Sequence, residues 1–573
     1  MTTDVLPADI DHGRRALVWL MLVALIVLAA GIGLRDPWPS DEPRFTLAAK
    51  QMVESGDWLF PHRGSELYSD KPPMFMWAQA AAYELTRHWR IAFLLPSLLA
   101  GLVTLALTYD LGRRLWNPRV GLFAAAALLA TFQFVYQVKR AQIDPLVIAW
   151  ITLANWGLLV HFLRGPDWRA YWIGCFAAGL GVITKGIGVL AFAMFIPYFY
   201  ARWRGWNGVT RGSGEVRADA LRWLAGPIAF AAAAVLWLVP MVLTAHARGT
   251  PEYAGYVNEI LFHQTAGRYL DSWDHPHSAW FYLPVVLFSW FPLSLAYPIV
   301  FVRWRRALAA RDARILLPVA SIAIVIAFFC VPSGKRDVYI MPALPMLALA
   351  CAPYLEEAIN ARWLRITALA ITAALGAALV IGAIAGYVGS PLIERLTGRE
   401  IGEAGGAPWI VAMAIGAAML ASASWFRVRR GVHALLAGLA AIWLIWSCAG
   451  YPIFNAGSSA ADVMRQTGAA IGPDAELGLV AWKEQNLLMA DRPARDFGFS
   501  APWPEQFAAA RRWQDEAPQH RMIFILETAM GDCVDKSRAI DVGRANRREW
   551  WVFGADAAIP GCVPQATGDA EGD

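Results

Sequence analysis

Apolar residues in this chain come in unbroken blocks of about twenty, one after another from residue 16 to residue 450. A block of that length fits the hydrocarbon core of a bilayer as a helix, which satisfies every backbone N–H and C=O internally where no water can. The alternating ten-residue strands of an outer-membrane barrel are a different pattern. Of the 573 residues, 57% are hydrophobic and only 17% charged, which excludes a soluble enzyme and a disordered chain alike. The expected fold class is a polytopic α-helical membrane protein.

Spans are expected near 16–34, 91–111, 119–138, 145–163, 170–186, 187–201, 223–244, 279–302, 315–331, 338–355, 364–388, 408–426 and 432–450, thirteen in all, the short pair around Lys185 being the least clear-cut. Arginines set the orientation. Arg14/Arg15, Arg113/Arg114/Arg119, Arg164/Arg169, Arg202 to Arg222, Arg303 to Arg314, Arg362/Arg365 and Arg427/Arg429/Arg430 fall in every second loop, so those loops and the N-terminus are expected in the cytoplasm. The first apolar run is longer than the core of a secretion signal and reads as a retained anchor. An odd number of spans then places the tail outside. The net charge of +5 belongs to this topology and implies no nucleic-acid partner.

Two units follow, a transmembrane domain over 1–450 and an outer domain over 451–573. Outer loops at 35–90 and 245–278 are long and polar. Within the first, Glu42 to Ser55 and Pro72 to Arg87 read as helices lying in the membrane interface. In the tail, 475–481, 521–526 and 549–553 read as strands and 504–516 as a helix, a small α/β domain. Cys533 and Cys562 sit there in an oxidising compartment, where a disulfide and two free thiols are both open.

Ionisable groups near membrane depth are costly, so those at the outer ends of spans are functional candidates. Asp41-Glu42-Pro43-Arg44 follows the first span; adjacent carboxylates point in different directions, so at most one of Asp41 and Glu42 reaches a given atom. Asp70-Lys71-Pro72-Pro73 follows. Its proline pair opens a helix and leaves Lys71 near a positive helix end suited to an anion. Asp144 opens a span after Lys139 and Arg140; Lys185, Arg268 and Lys335-Arg336 are further outward cations that the positive-inside rule disfavours. There are only seven lysines, and none falls in the expected cytoplasmic loops. Lys71, Lys139, Lys185 and Lys335 are therefore expected on one face, around a phosphate or pyrophosphate headgroup. The loop 245–278 holds His246, His263, His275 and His277, without the helical spacing of a zinc pair.

Taken in order, Asp-Glu-Pro-Arg, Ser55-Gly56-Asp57-Trp58, Asp-Lys-Pro-Pro, Asp144, Thr184-Lys185-Gly186, the loop from His275 to Trp280-Phe281-Tyr282, and Ser333-Gly334-Lys335-Arg336-Asp337-Val338-Tyr339 resemble the ArnT-like glycosyltransferases. These have the GT-C fold and are related to protein O-mannosyltransferases. The resemblance runs through 16–355 and continues in layout to the end of the chain. It implies about thirteen transmembrane helices with a periplasmic C-terminal α/β domain, in a bacterial inner membrane. It also implies transfer of a sugar from undecaprenyl phosphate at the periplasmic face, the type reaction moving 4-amino-4-deoxy-L-arabinose to lipid A. Asp41 and Asp144 then look like active-site acids, and Lys71 like the carrier-phosphate lysine. Arg44, Lys185, Arg268, Lys335 and Tyr339 look like further contacts, with Glu42 and His275 beside them. Some members hold zinc through a glutamate next to the lysine motif. Here the shorter Asp70 stands there, with His263 as its companion, and no other cofactor is implied.

Such chemistry needs a carrier phosphate stabilised as it leaves and an acceptor opposite it. A hydroxyl acceptor needs a base such as Asp41; a lipid phosphate is already a nucleophile. A protein, another envelope glycan and lipid A all remain open as acceptors. A lipid-linked-sugar transporter is the rival class, but it would place its charges at mid-membrane on broken helices with repeat symmetry.

Overall fold

A computed structural model of the chain describes residues 7–210, 216–262, 277–397 and 405–564. Among these residues, eight helices are long and apolar enough to cross a membrane: Trp89–Leu115, Ile143–Arg164, Asp219–Arg248, Ala313–Cys330, Asp337–Asn360, Arg362–Tyr387, Ala407–Phe426 and Val428–Ser458. Two further crossings are bent pairs, Pro118–Ala130 with Phe132–Val138 at 69° and Tyr282–Ser289 with Leu293–Ala309 at 94°. The first bend falls where Thr131 turns extended. The second contains Pro292, which has no N–H to carry a helix onward. The chain is a multi-pass membrane protein.

Among the described residues, eight to ten segments have the length and apolarity of a crossing, against the thirteen expected, and the other three expected spans differ for local reasons. Helix α1 (Pro7–Ala29) stops at Ala29, and Gly31 and Gly33 follow with φ of +86° and +84°, so the run to residue 34 is not one helix. The helix Trp168–Lys185 is diluted at its ends by Arg169 and Lys185. The run after it starts as a 3-10 helix, Ile187–Met194, before an α-helix over Phe195–Trp203.

One helix pair determines the site. Ile143–Arg164 and Trp168–Lys185 are joined by a short turn in which the Asp167 side chain caps the second helix, accepting from Ala170 N at 3.0 Å. They pack so closely that a Cβ on Gly157 would lie 2.2 Å from the Ala170 carbonyl oxygen. This antiparallel packing brings the start of the first helix beside the end of the second.

The first long loop contains two helices where the sequence places them, α2 (Asp41–Ser55) and α3 (Met74–Thr86). Between them lies a small antiparallel hairpin, β1 (His62–Arg63) with β2 (Glu66–Leu67). The tail forms a five-stranded sheet of β3 (Glu476–Val480), β4 (Ala494–Asp496), β5 (Arg521–Leu526), β6 (Ile540–Ala545) and β7 (Arg548–Phe553), in the order β4-β3-β5-β7-β6. Strand β3 runs parallel to β4 and β5, whereas β7 is antiparallel to β5 and β6. Its core is built from Leu477, Leu479, Ile523, Ile525 and Val552, with the helix Trp503–Asp515 supplying Phe507 and Trp513. Cys533 and Cys562 form a disulfide with a Cα–Cα distance of 5.3 Å.

This domain is fastened to the first loop. Ser65 Oγ donates to Asp496 at 2.6 Å, and Ser500 Oγ donates to Glu66 at 2.7 Å. At Gly64, φ is +69° and a Cβ would lie 2.9 Å from the Trp482 ring, so glycine is required there both by conformation and by the close approach.

Candidate active site

Asp41 and Glu42 are neighbours on the first turn of α2, about 100° apart around the helix axis, and they meet different surroundings. Glu42 faces inward and is 1% exposed. Its carboxylate takes both Nη atoms of Arg35, one at 2.7 Å, and accepts from Trp38 N at 2.8 Å and Ala141 N at 3.0 Å. Arg35 is itself buried among the rings of Trp38, Phe93 and Tyr451, each about 5 Å from the guanidinium carbon. Burial pushes the Glu42 carboxyl up, but the Arg35 guanidinium more than offsets this and holds it below the usual glutamate range. Glu42, expected among the substrate contacts, instead ties the loop to the start of the fourth expected span.

Asp41 faces the other way and remains partly open, 16% exposed. It accepts from Gln142 Nε2 at 3.2 Å, and Arg336 Nη2 stands 3.8 Å off. Two residues beyond Gln142, Asp144 is ion-paired with Lys185, which reaches it from the end of the neighbouring helix. The Lys185 ammonium also lies over the Tyr339 ring, 5.3 Å from its centroid. Tyr339 belongs to the 3-10 segment Asp337–Ala343, immediately after Arg336. Four segments distant in sequence thus converge on Asp41, Asp144, Lys185, Arg336 and Tyr339.

Arg44, three residues after Asp41 and on the same side of α2, donates through Nε to Glu484 of the C-terminal domain at 2.8 Å. Arg63 Nη1 stands 3.9 Å from the same Glu484 oxygen and its guanidinium stacks on Phe499 at 3.9 Å. Tyr68 lies between these groups and the lysine motif. Burial drives its phenol up, Asp70 adds to this, Arg44 and Arg63 oppose it, and Asp41 adds to it again. Lys71 is half-buried and donates to the Asp70 carbonyl at 2.9 Å. Helix α3 begins just beyond it with Pro73 as its cap, as the proline pair leads one to expect.

The shared-headgroup reading of four lysines is corrected for two of them. Lys335 is buried and donates to the carbonyls of His277 at 3.0 Å, Ser333 at 3.4 Å and Pro332, so it clasps its own turn and ties it to the segment at His277. Lys139 is buried against the end of α1 and donates to the carbonyls of Val27, Leu28 and Ala30. His263, Arg268 and His275 lie outside the described residues, and with them half of the Asp70–His263 metal pair. Among the described residues, no three His, Cys, Asp or Glu side chains stand close enough to hold a metal ion. Gln142, Tyr68, Arg63 and Glu484 were not singled out by the sequence. Tyr68 stands two residues before Asp70 and was within reach of the motif, whereas nothing local marks Glu484.

The site therefore offers a partly accessible carboxylate flanked by guanidinium groups, with a buried carboxylate–ammonium pair beside it and a lysine at a helix entrance. That set can hold an anionic group and orient a nucleophile.

Comparison with solved structures decides the fold. ArnT from Cupriavidus metallidurans superposes in its apo state with a TM-score of 0.73 over 95% of this chain and 99% of that one, at 20% identity. The fold is that of ArnT. The same enzyme bound to undecaprenyl phosphate superposes with a TM-score of 0.71 at 18% identity, again over 95% and 99% of the two chains. A family model described as dolichyl-phosphate-mannose-protein mannosyltransferase matches residues 70–211, which contain the lysine motif, Asp144 and Lys185. The chain is also 28% identical over 355 residues to an undecaprenyl phosphate-alpha-4-amino-4-deoxy-L-arabinose arabinosyl transferase of Pseudomonas savastanoi pv. phaseolicola, covering 61% of this chain and 63% of that protein. A similarly named transferase of Pseudomonas fluorescens is 28% identical over 394 residues, 66% of this chain and 65% of the relative. The chain thus matches a little under two thirds of the length of these relatives.

Proposed function

We propose that this protein is a glycosyltransferase that moves a sugar from an undecaprenyl-phosphate carrier to an envelope acceptor at the periplasmic face of a bacterial inner membrane. The observation that carries the reading is the convergence of Asp41, Asp144, Lys185, Arg336 and Tyr339 on a fold shared over almost the whole chain with an enzyme that binds undecaprenyl phosphate. In this reading Lys71 and Arg44 stabilise the carrier phosphate as it leaves. Asp41, open on one side and steadied by Gln142, orients the acceptor, and takes its proton where the acceptor is a hydroxyl. The Asp144–Lys185 pair fixes the floor of the site and the Tyr339 ring above it. The acceptor we favour is lipid A, and the sugar 4-amino-4-deoxy-L-arabinose, as the names of the relatives suggest. The N-terminus lies in the cytoplasm and the tail domain in the periplasm, following the arginine distribution.

The test is turnover of carrier-linked sugar by the purified full chain. Release of free polyprenyl phosphate supports the transferase, and movement of intact donor across a vesicle membrane without release would replace it with a transporter. Mass spectrometry of lipid A from cells with and without the gene identifies the acceptor: an unchanged lipid A beside a modification lost elsewhere would move the acceptor assignment.

A further inference from the structure

The tail domain does more than sit on the first loop. Its residue Glu484, 3% exposed, is inserted into the edge of the Asp41 site and meets two guanidinium groups there, Arg44 at 2.8 Å and Arg63 at 3.9 Å, through one carboxylate oxygen. Arg44 comes from the same helical turn as Asp41. Arg63 comes from the hairpin and is pressed onto Phe499, also of the tail domain. Two cations so close repel each other unless an anion stands between them, and burial strengthens both the repulsion and the remedy. The local backbone is organised for the purpose: Glu484 opens a short helix whose first turn is closed by Asn486, which accepts from Lys483 N at 2.9 Å.

We propose that Glu484 is a positioning residue of the active site, holding the Arg44 guanidinium beside Asp41, so that the site is complete only while the C-terminal domain is docked on the first loop. This rests on the reading of the Asp41 cluster as the transferase site. Two other hydrogen-bonded contacts of the domain with the loop, Ser65 with Asp496 and Glu66 with Ser500, are exposed and involve neither Asp41 nor Arg44, and Trp482 on Gly64 and Lys50 on the Leu488 carbonyl add to the docking. The two exposed contacts separate docking from positioning.

The test uses full-length protein and has two arms. In the first, Arg44→Ala, Glu484→Gln and the double variant are compared in thermal unfolding, which needs no substrate. Non-additive effects support the contact, and strictly additive ones overturn it. In the second, the rate of polyprenyl phosphate release per folded molecule is measured with carrier-linked sugar. Glu484→Gln should lower kcat/KM by about tenfold or more, since a misplaced binding group costs on that scale. Glu484→Asp, which keeps the charge, should recover part of the loss, and Asp496→Ala should stay within about twofold of the parent. Equal losses for Glu484→Gln and Asp496→Ala would show that docking alone matters, and full activity in Glu484→Gln would likewise overturn the proposal. If the parent protein itself releases no polyprenyl phosphate, the transferase reading fails, while the unfolding cycle still decides whether Glu484 holds Arg44.

Discussion

Lys139 donates through Nζ to the carbonyl oxygen of Ala30 at 2.7 Å. The same ammonium reaches Val27 O at 2.9 Å, so it closes the carbonyl end of α1, where the helix leaves acceptors unpaired and its dipole favours a cation. Lys139→Met should therefore lower stability by about 1–3 kcal/mol, the cost of stranding buried acceptors. The KM for donor should stay near that of the parent. Thermal unfolding in detergent together with donor titration checks this; a raised KM at unchanged stability would return Lys139 to the headgroup.

Adjacent Asp41 and Glu42 should respond in opposite ways. Asp41→Asn removes a half-exposed ion pair and leaves an amide oxygen that can still accept from Gln142. It should cost no more than about 1 kcal/mol in stability, yet lower turnover by about a hundredfold or more if Asp41 takes a proton or orients the acceptor. Glu42→Gln leaves the buried Arg35 without its counter-charge and should cost about 3–5 kcal/mol. The pH dependence distinguishes the two positions as well. Glu42 has its folded pKa depressed below the ordinary 4.5, so its contribution to stability is present above that value and is lost as pH falls through the folded pKa. An unfolding series from pH 7 downward should show this acid loss in the parent and in Asp41→Asn, and a smaller one in Glu42→Gln.

What the sequence made legible depended on how local each signal was. Strands at 475–481, 521–526 and 549–553 fall on β3, β5 and β7 because each is a continuous apolar run. Strand β4, only Ala494–Asp496, and the polar β6 carry no such run and escaped notice. Proline punctuation placed the start of α3 correctly. Sorting lysines by membrane side found Lys185, which meets Asp144. It misjudged Lys139 and Lys335, because a backbone carbonyl that needs a cation leaves no trace in composition. Glu42 was drawn into the site by its neighbour Asp41, since a motif does not say which of two adjacent carboxylates turns inward. Glu484 lies 440 residues from Arg44, and only the docking of the tail domain brings the two together.

The disulfide between Cys533 and Cys562 closes a loop in the tail domain with a sequence separation of 29. Replacing both by serine should lower the stability of that domain by about 2–4 kcal/mol. It should also speed proteolytic release of the domain from the membrane part. Alkylation of the denatured, unreduced protein should modify four cysteines, Cys175, Cys330, Cys351 and Cys448, and all six after reduction. Six modified cysteines before reduction would refute the bridge.

The pair of Asp144 and Lys185 separates stability from catalysis most sharply. Both side chains are largely buried, 8% and 14% exposed, at the ends away from the connecting turn of two helices that glycine packing holds together. Removing one partner strands the other charge, so Asp144→Asn and Lys185→Met should each cost on the order of 3 kcal/mol. Removing both leaves no stranded charge, and the double variant should be more stable than either single one, with a coupling of about 1–3 kcal/mol. Turnover should not follow stability. The Lys185 ammonium over Tyr339 is lost in the double variant too, so that protein should unfold near the parent temperature and still release polyprenyl phosphate at background rate. Thermal unfolding and product release on the same four preparations check both halves. Recovery of turnover in the double variant would reduce the pair to a structural brace.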